Sequence, residues 1–170
     1  MINFNDYKIG VNNKLLQLES FEENRQLATI MVQQSRYTLE IISRLLDPMI
    51  FNTPEFIEAV RQMVTTNRQP KIRIIVFDPE TIVRHGHRLV EFAGSLSSFI
   101  EIRKAGREFH GYNECLLVAD NIAYIHRTNA ERFEATANFN DKRQSKFFMD
   151  DFETMWASAL PDPNLRRLSI

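Results

Sequence analysis

The 170-residue chain is poor in the residues that cross-link or punctuate small proteins. Its one cysteine, Cys115, excludes an intramolecular disulfide, and no Cys/His cluster has zinc-ligand spacing. With only 5 glycines and 6 prolines, it is neither a collagen-like repeat nor a flexible linker. No apolar run approaches the roughly 20 residues that span a bilayer. The opening Met1-Ile2-Asn3-Phe4-Asn5-Asp6 lacks a basic region leading into an apolar stretch, so a cytoplasmic protein without a membrane span is expected. An excess of one charge is also missing. The 21 Lys and Arg against 22 Asp and Glu give a net charge of −1. Bulk charge therefore gives no pull toward nucleic acid or acidic membranes, and any anion site must be local.

What is present suits one globular core: 44% hydrophobic and 25% charged residues, with no repeat or low-complexity tract. Residues 1–19 lack clear periodicity and read as an N-terminal arm or short strand, and residues 20–170 as a single domain. Ser20-Phe-Glu-Glu23 is a capping box opening a helix to about Arg36. Tyr37 to Leu46 then reads as a buried strand that Asp47-Pro48 breaks. Thr53-Pro54 opens a second helix with Phe56, Val60 and Met63 on its core face. Lys71–Phe77 is the clearest strand. Asp78-Pro79 starts a third helix, weakened or kinked at Gly86, and Ser98–Arg103 is a strand again. Strand-helix-strand-helix-strand favours a parallel arrangement over residues 37–103. Cys115–Ala119 and Ile122–Ile125, separated by Asp120-Asn121, read as a tight hairpin. Phe133–Phe139 alternates as a half-exposed strand, and a last helix carries Phe148, Phe152, Met155 and Ala159 on one stripe with Trp156 beside it, until Pro161.

The stretch Asn113-Glu-Cys-Leu-Leu-Val-Ala-Asp120, followed by IAYIHRTN, FEATANFND and the helix DDFETMWASAL, resembles one half-unit of the phospholipase D-like superfamily. In that family a strand carrying H-x-K-x-x-x-x-D turns at its Asp, and the next strand ends in a Gly-Ser pair. The resemblance implies an α/β fold, a phospholipase D-like mixed sheet flanked by helices on both faces, with a phosphate crevice at its strand ends. Asp120 takes the family's Asp place, which puts Asn113 where the nucleophilic His belongs and Cys115 where the phosphate-binding Lys belongs. Arg127 and Thr128 replace the Gly-Ser pair. An amide cannot form a phosphohistidine, and a thiol does not clamp phosphate charge. HGHRL at 85–89 together with the closing PDPNLRRLSI also resembles a small bacterial branch of the superfamily to which no activity is attached.

The implied crevice residues are His110, Asn113, Asp120, Arg127, Thr128 and Arg132, with His87 and Arg88 as a second, exposed cluster. Arg103, Lys104 and Arg107 add local positive charge, and arginine forks suit phosphate oxygens. His85 and His87, two residues apart on a helix, point to different faces, so no metal is expected, and no cofactor either. His85 is expected to border the apolar face, and Cys115 to be an inert core thiol. The function expected is a non-catalytic binding or regulatory module using the former crevice for a phosphate-containing ligand or a protein partner. The alternatives are a phosphodiesterase of nuclease or phospholipase type with a rearranged site, and a structural or assembly domain. The resemblance also implies a homodimer.

Overall fold

The computed structural model describes residues 3–166. Seven strands form one mixed sheet: β1 (Leu16–Leu18), β2 (Thr38–Ile42), β3 (Lys71–Val76), β4 (Ile100–Lys104), β5 (Cys115–Ala119), β6 (Ala123–Arg127) and β7 (Ala135–Asn138). Their order is β1-β7-β6-β5-β2-β3-β4. β2, β3 and β4 run parallel, as the alternation of strands and helices over residues 37–103 predicts. β5 pairs antiparallel with β2 and joins β6 through a hairpin. That turn forms because Asp120 and Asn121 both accept positive φ, 54° and 58°. Leu16–Leu18 pairs antiparallel with β7 and makes the far edge of the sheet.

The helices are α1 (Phe21–Gln34), α2 (Pro48–Phe51), α3 (Pro54–Thr66), α4 (Pro79–His85), α5 (Arg88–Ser95) and α6 (Lys142–Ser158). The predicted caps are in place, since the Ser20, Thr53 and Asp78 side chains accept from the amides of Glu23, Phe56 and Thr81, and Asp141 caps α6 in the same way by accepting from the Gln144 amide. Two expectations need correction. The strand predicted to reach Leu46 stops at Ile42, because Leu46 turns the chain with φ +49° while its side chain stays buried. The third helix is two helices, since Gly86 at φ +76° ends α4 and His87 caps α5.

Strand alternation sorts the side chains onto two faces. Leu39, Ile41, Ile72, Ile74, Leu117 and Ile125 meet residues of α1 to α5, while Ile42, Ile75, Leu116, Val118 and Tyr124 meet Phe148, Phe152, Met155 and Trp156 of α6. Helices thus cover both faces. The four C-terminal residues of PDPNLRRLSI and the first two of the N-terminal segment lie outside the described residues.

One polar group interrupts the α6 face. Glu40 is buried there, its Oε2 accepts from Arg73 Nη2 at 3.3 Å, and its Oε1 has no partner. Arg73 also pairs with Glu153 and lies 5.0 Å and 5.5 Å from the rings of Phe152 and Trp156. Burial, outweighing the attraction of Arg73, pushes the Glu40 carboxyl up to about 7. Because its folded value lies above its unfolded one, the fold binds this proton more tightly than the unfolded chain does. The stability this provides is complete below pH about 4.5 and is lost as pH rises through about 7. Denaturant unfolding from pH 5 to 8 is expected to show a decline of up to about 3 kcal/mol attributable to Glu40, absent in Glu40→Gln. Equal pH slopes in the two proteins would contradict this.

Candidate crevice at the strand ends

The C-terminal ends of β2 and β6 and the start of β5 lie at one end of the sheet, the end at which the crevice is expected. Asn113, just before β5, is exposed; its Nδ2 donates to Asn129 Oδ1 at 3.3 Å, and its carbonyl accepts from the Ala130 amide at 2.8 Å. Two residues on, Cys115 is buried, and burial pushes its thiol up to about 11, so at neutral pH it stays a thiol rather than a thiolate.

Arg127 is the centre of this region, and only 3% of it is exposed. Its Nη1 donates to Asp47 Oδ2 at 2.6 Å, its Nε to the Arg132 carbonyl at 2.8 Å, and its Nη2 to the Ala130 carbonyl at 2.7 Å. The guanidinium also lies 4.9 Å from the centroid of Phe133. Every guanidinium nitrogen therefore has a protein partner, and its face is covered by a ring. Beneath the pair, Cys115, Arg127, Ile50, Phe51 and Asn24 line a cavity of about 20 Å³. That is room for about one water and too little for a phosphate group.

The other predicted residues do not converge on this point. Thr128 is exposed. Arg132 is exposed, turns its Nη2 to Glu134 at 3.3 Å, and contributes its carbonyl to Arg127. His110 is exposed on the loop after the short helical turn Arg107–Phe109, and its carbonyl lies 3.4 Å from Arg44 Nη1. Asp120 is just past the opposite end of β5, roughly 17 Å by strand rise from Cys115, the residue paired with Arg127. There its carboxylate accepts from the amides of Arg36, Tyr37 and Thr38 at 2.7 to 3.2 Å, which fixes the hairpin against the start of β2.

The second cluster is corrected. Arg88 is exposed, but His87 is 4% exposed, because its ring bridges two backbone groups: Nε2 lies 2.9 Å from the Leu46 carbonyl and Nδ1 accepts from the Leu89 amide at 3.1 Å. His85 is the exposed member of the pair, since Gly86 ends α4 directly after it. Sequence reasoning missed Asp47, which it read only as a break before proline. It also missed the neighbouring stack of Arg44 over Phe77 at 4.6 Å and of Phe77 on Tyr112 at 6.1 Å, and the pair of His126 Nε2 with Glu114 Oε1 at 2.6 Å. Larger grooves lie elsewhere; one of about 660 Å³ is lined by Phe4, Arg25, Thr29, Gln33 and Glu55. Among the described residues no three His, Cys, Asp or Glu converge as metal ligands, and no helix is long and apolar enough to cross a membrane.

A closed crevice makes Cys115 a reporter. In the native protein at about pH 8, Cys115 is expected to react with iodoacetamide at least about 100-fold more slowly than in denaturant, and Arg127→Ala is expected to recover much of that rate. Rapid labelling of the native wild type would contradict the closure.

Residues 20–168 match the model of the family described as Domain of unknown function (DUF7931). No curated protein matches the chain. Among solved structures it is similar to NucT from Helicobacter pylori, with 14% identity and a TM-score of 0.60 over 88% of this chain and 98% of that one. It is also similar to Nuc from Salmonella typhimurium, a phospholipase D family member, with 14% identity and a TM-score of 0.59 over 86% and 95%. The archaeal chromatin protein TrmBL2 aligns at 13% identity and a TM-score of 0.63 over 88% of this chain, which spans only 54% of that protein. The strand order and the helices on both faces thus form a phospholipase D-like fold, and the chain belongs to the DUF7931 family.

Proposed function

We propose that this chain is a non-catalytic phospholipase D-like domain, a binding or regulatory module whose former phosphate crevice has become a structural joint and whose mouth receives a protein partner. The observation that carries this reading is the saturation of Arg127: the cation best suited to a phosphate already has Asp47, two carbonyls and a ring as partners. Asn113 and the protonated Cys115 stand in the places of the family's His and Lys, and neither can supply their chemistry. The mouth keeps a surface that a partner can use. Leu45 and Met49, 43% and 46% exposed, flank Asp47, and Arg107, His110 and Arg132 are exposed nearby.

A phosphodiesterase built from His110, Asp120, Arg127 and Thr128 fits the geometry less well, because Asp120 is at the far end of the hairpin and Arg127 has no free nitrogen. The DNA binding described for the archaeal chromatin neighbour gains no support here from a net charge of −1.

Two measurements test the reading. Bis-p-nitrophenyl phosphate is expected to remain uncleaved above the buffer rate, with and without divalent metal; cleavage that disappears in His110→Ala or His126→Ala would restore the phosphodiesterase. Millimolar phosphate or sulfate is expected to leave the melting temperature within about 1 °C. Stabilisation that vanishes in Arg127→Ala would instead make the module an anion binder.

A further inference from the structure

The end of the sheet opposite the crevice mouth collects positive charge that the whole-chain balance of −1 conceals. β2 and β3 start there side by side. The Lys71 amide donates to the Tyr37 carbonyl at 3.0 Å and Asn67 Nδ2 reaches the Ser35 carbonyl at 3.4 Å, so Arg36, Arg68 and Lys71 come together. Lys8 lines one open groove with Arg36, Tyr37 and Ile122. The Ile122 carbonyl accepts from the Asp141 amide at 3.0 Å, which brings Lys142 and Arg143, on the first turn of α6, to the same end. All six cations are exposed, and among the described residues none of them is in an ion pair. The neighbouring acids are spent on backbone: Asp120 accepts from three amides and Asp141 caps α6. Asp6 and Lys14, one of each sign, border Val11.

Large apolar side chains stand out among these cations. Val11, Tyr37 and Phe147 are 69%, 68% and 63% exposed, three of the four most exposed large hydrophobic residues in the described chain. The Val11 amide donates to the Lys8 carbonyl at 3.1 Å, Tyr37 follows Arg36, and Phe147 shares a surface hollow with Asp141 and Arg143. Water solvates such apolar groups poorly, whereas an anionic lipid interface satisfies both kinds of residue, with cations at the headgroup phosphates and apolar side chains just below them. A nucleic-acid strand would use the cations and the Tyr37 ring but would leave Val11 in water. We propose that this end of the molecule is a docking face for an anionic phospholipid surface, seated by Val11, Tyr37 and Phe147 and held by the six cations around them. Because the whole chain carries −1, the remainder is net negative, and the field of an anionic surface turns this end toward the lipid. The mouth then points away from the bilayer, and docking does not depend on what the mouth receives.

Flotation of the full chain with vesicles of phosphatidylcholine alone, or with about 30% phosphatidylglycerol, tests this at about 50 mM salt. Wild type is expected to bind the anionic vesicles at least about ten-fold more tightly than the neutral ones, and to lose most of that binding at about 0.5 M salt. Arg36→Gln, Lys71→Gln and Arg143→Gln together remove three cations worth about five-fold each, and a loss of at least about ten-fold is expected. Val11→Ser, Tyr37→Ser and Phe147→Ser together keep the charge and are expected to lose at least about five-fold. Arg84→Gln with Lys104→Gln removes two exposed cations at the mouth end and is expected to bind as wild type does. All of these side chains are exposed, and an unchanged melting temperature checks that each variant folds. Equal binding to both kinds of vesicle, or to neither, would overturn the proposal. So would full binding by the apolar variant, a loss at the mouth end as large as that of the triple cation variant, or retention on single-stranded DNA without uptake by vesicles.

Discussion

A guanidinium withdrawn from water must find a partner for each of its nitrogens, and at Arg127 that requirement organises one whole end of the molecule. The side chain leaves the last residue of β6 and reaches Asp47, 80 residues earlier in the chain, while two carbonyls of its own following loop curl back to complete the set. To place Asp47 there, the chain must turn sharply after β2, which is why Leu46 takes a left-handed conformation and why its carbonyl needs His87. Ser43 Oγ, 3.3 Å from the Asp47 amide, and the short helix α2 that starts at Pro48 shape the same turn. Cys115 sits behind this assembly, so the position implied for a phosphate-clamping lysine is a buried thiol under a closed ion pair.

The two sheet faces treat buried charge differently. On the α1 to α5 side the pair of Asp47 and Arg127 is complete, with hydrogen bonds to every guanidinium nitrogen. On the α6 side Arg73 is shared between buried Glu40 and half-exposed Glu153, and one oxygen of Glu40 has no partner. An incomplete buried network leaves a carboxyl that prefers its proton. The complete network resembles a permanent joint, and the incomplete one makes stability depend on pH.

Much of the fold was legible because local chemistry and global pattern agree. Lys71–Val76 is β-branched between two prolines, Asp120-Asn121 fits the left-handed turn of the hairpin, and the alternation of strands and helices over residues 37–103 permits little besides a parallel sheet. The resemblance around Asn113 and Asp120 pointed to the fold that the solved relatives bear out. The interior of the crevice was not legible, because its partners are set by tertiary distance. Nothing in Asp47-Pro48 marks an arginine partner at Arg127, and a polar His87 in the run HGHRL gives no sign that both its nitrogens serve backbone groups. The resemblance implies a crevice place for Asp120, yet strand geometry carries it to the other end of β5, where it ties down the hairpin.

The central claim is that the ion pair of Asp47 and Arg127 closes the crevice and holds its surroundings together. A double-mutant cycle of Asp47→Asn and Arg127→Met, read by denaturant unfolding at about pH 7.5, tests it most directly. A buried guanidinium hydrogen-bonded at every nitrogen, paired with a partly buried carboxylate, predicts a coupling energy of about 2 kcal/mol or more. Coupling within about 0.5 kcal/mol of zero, the additivity expected of independent sites, would contradict the account.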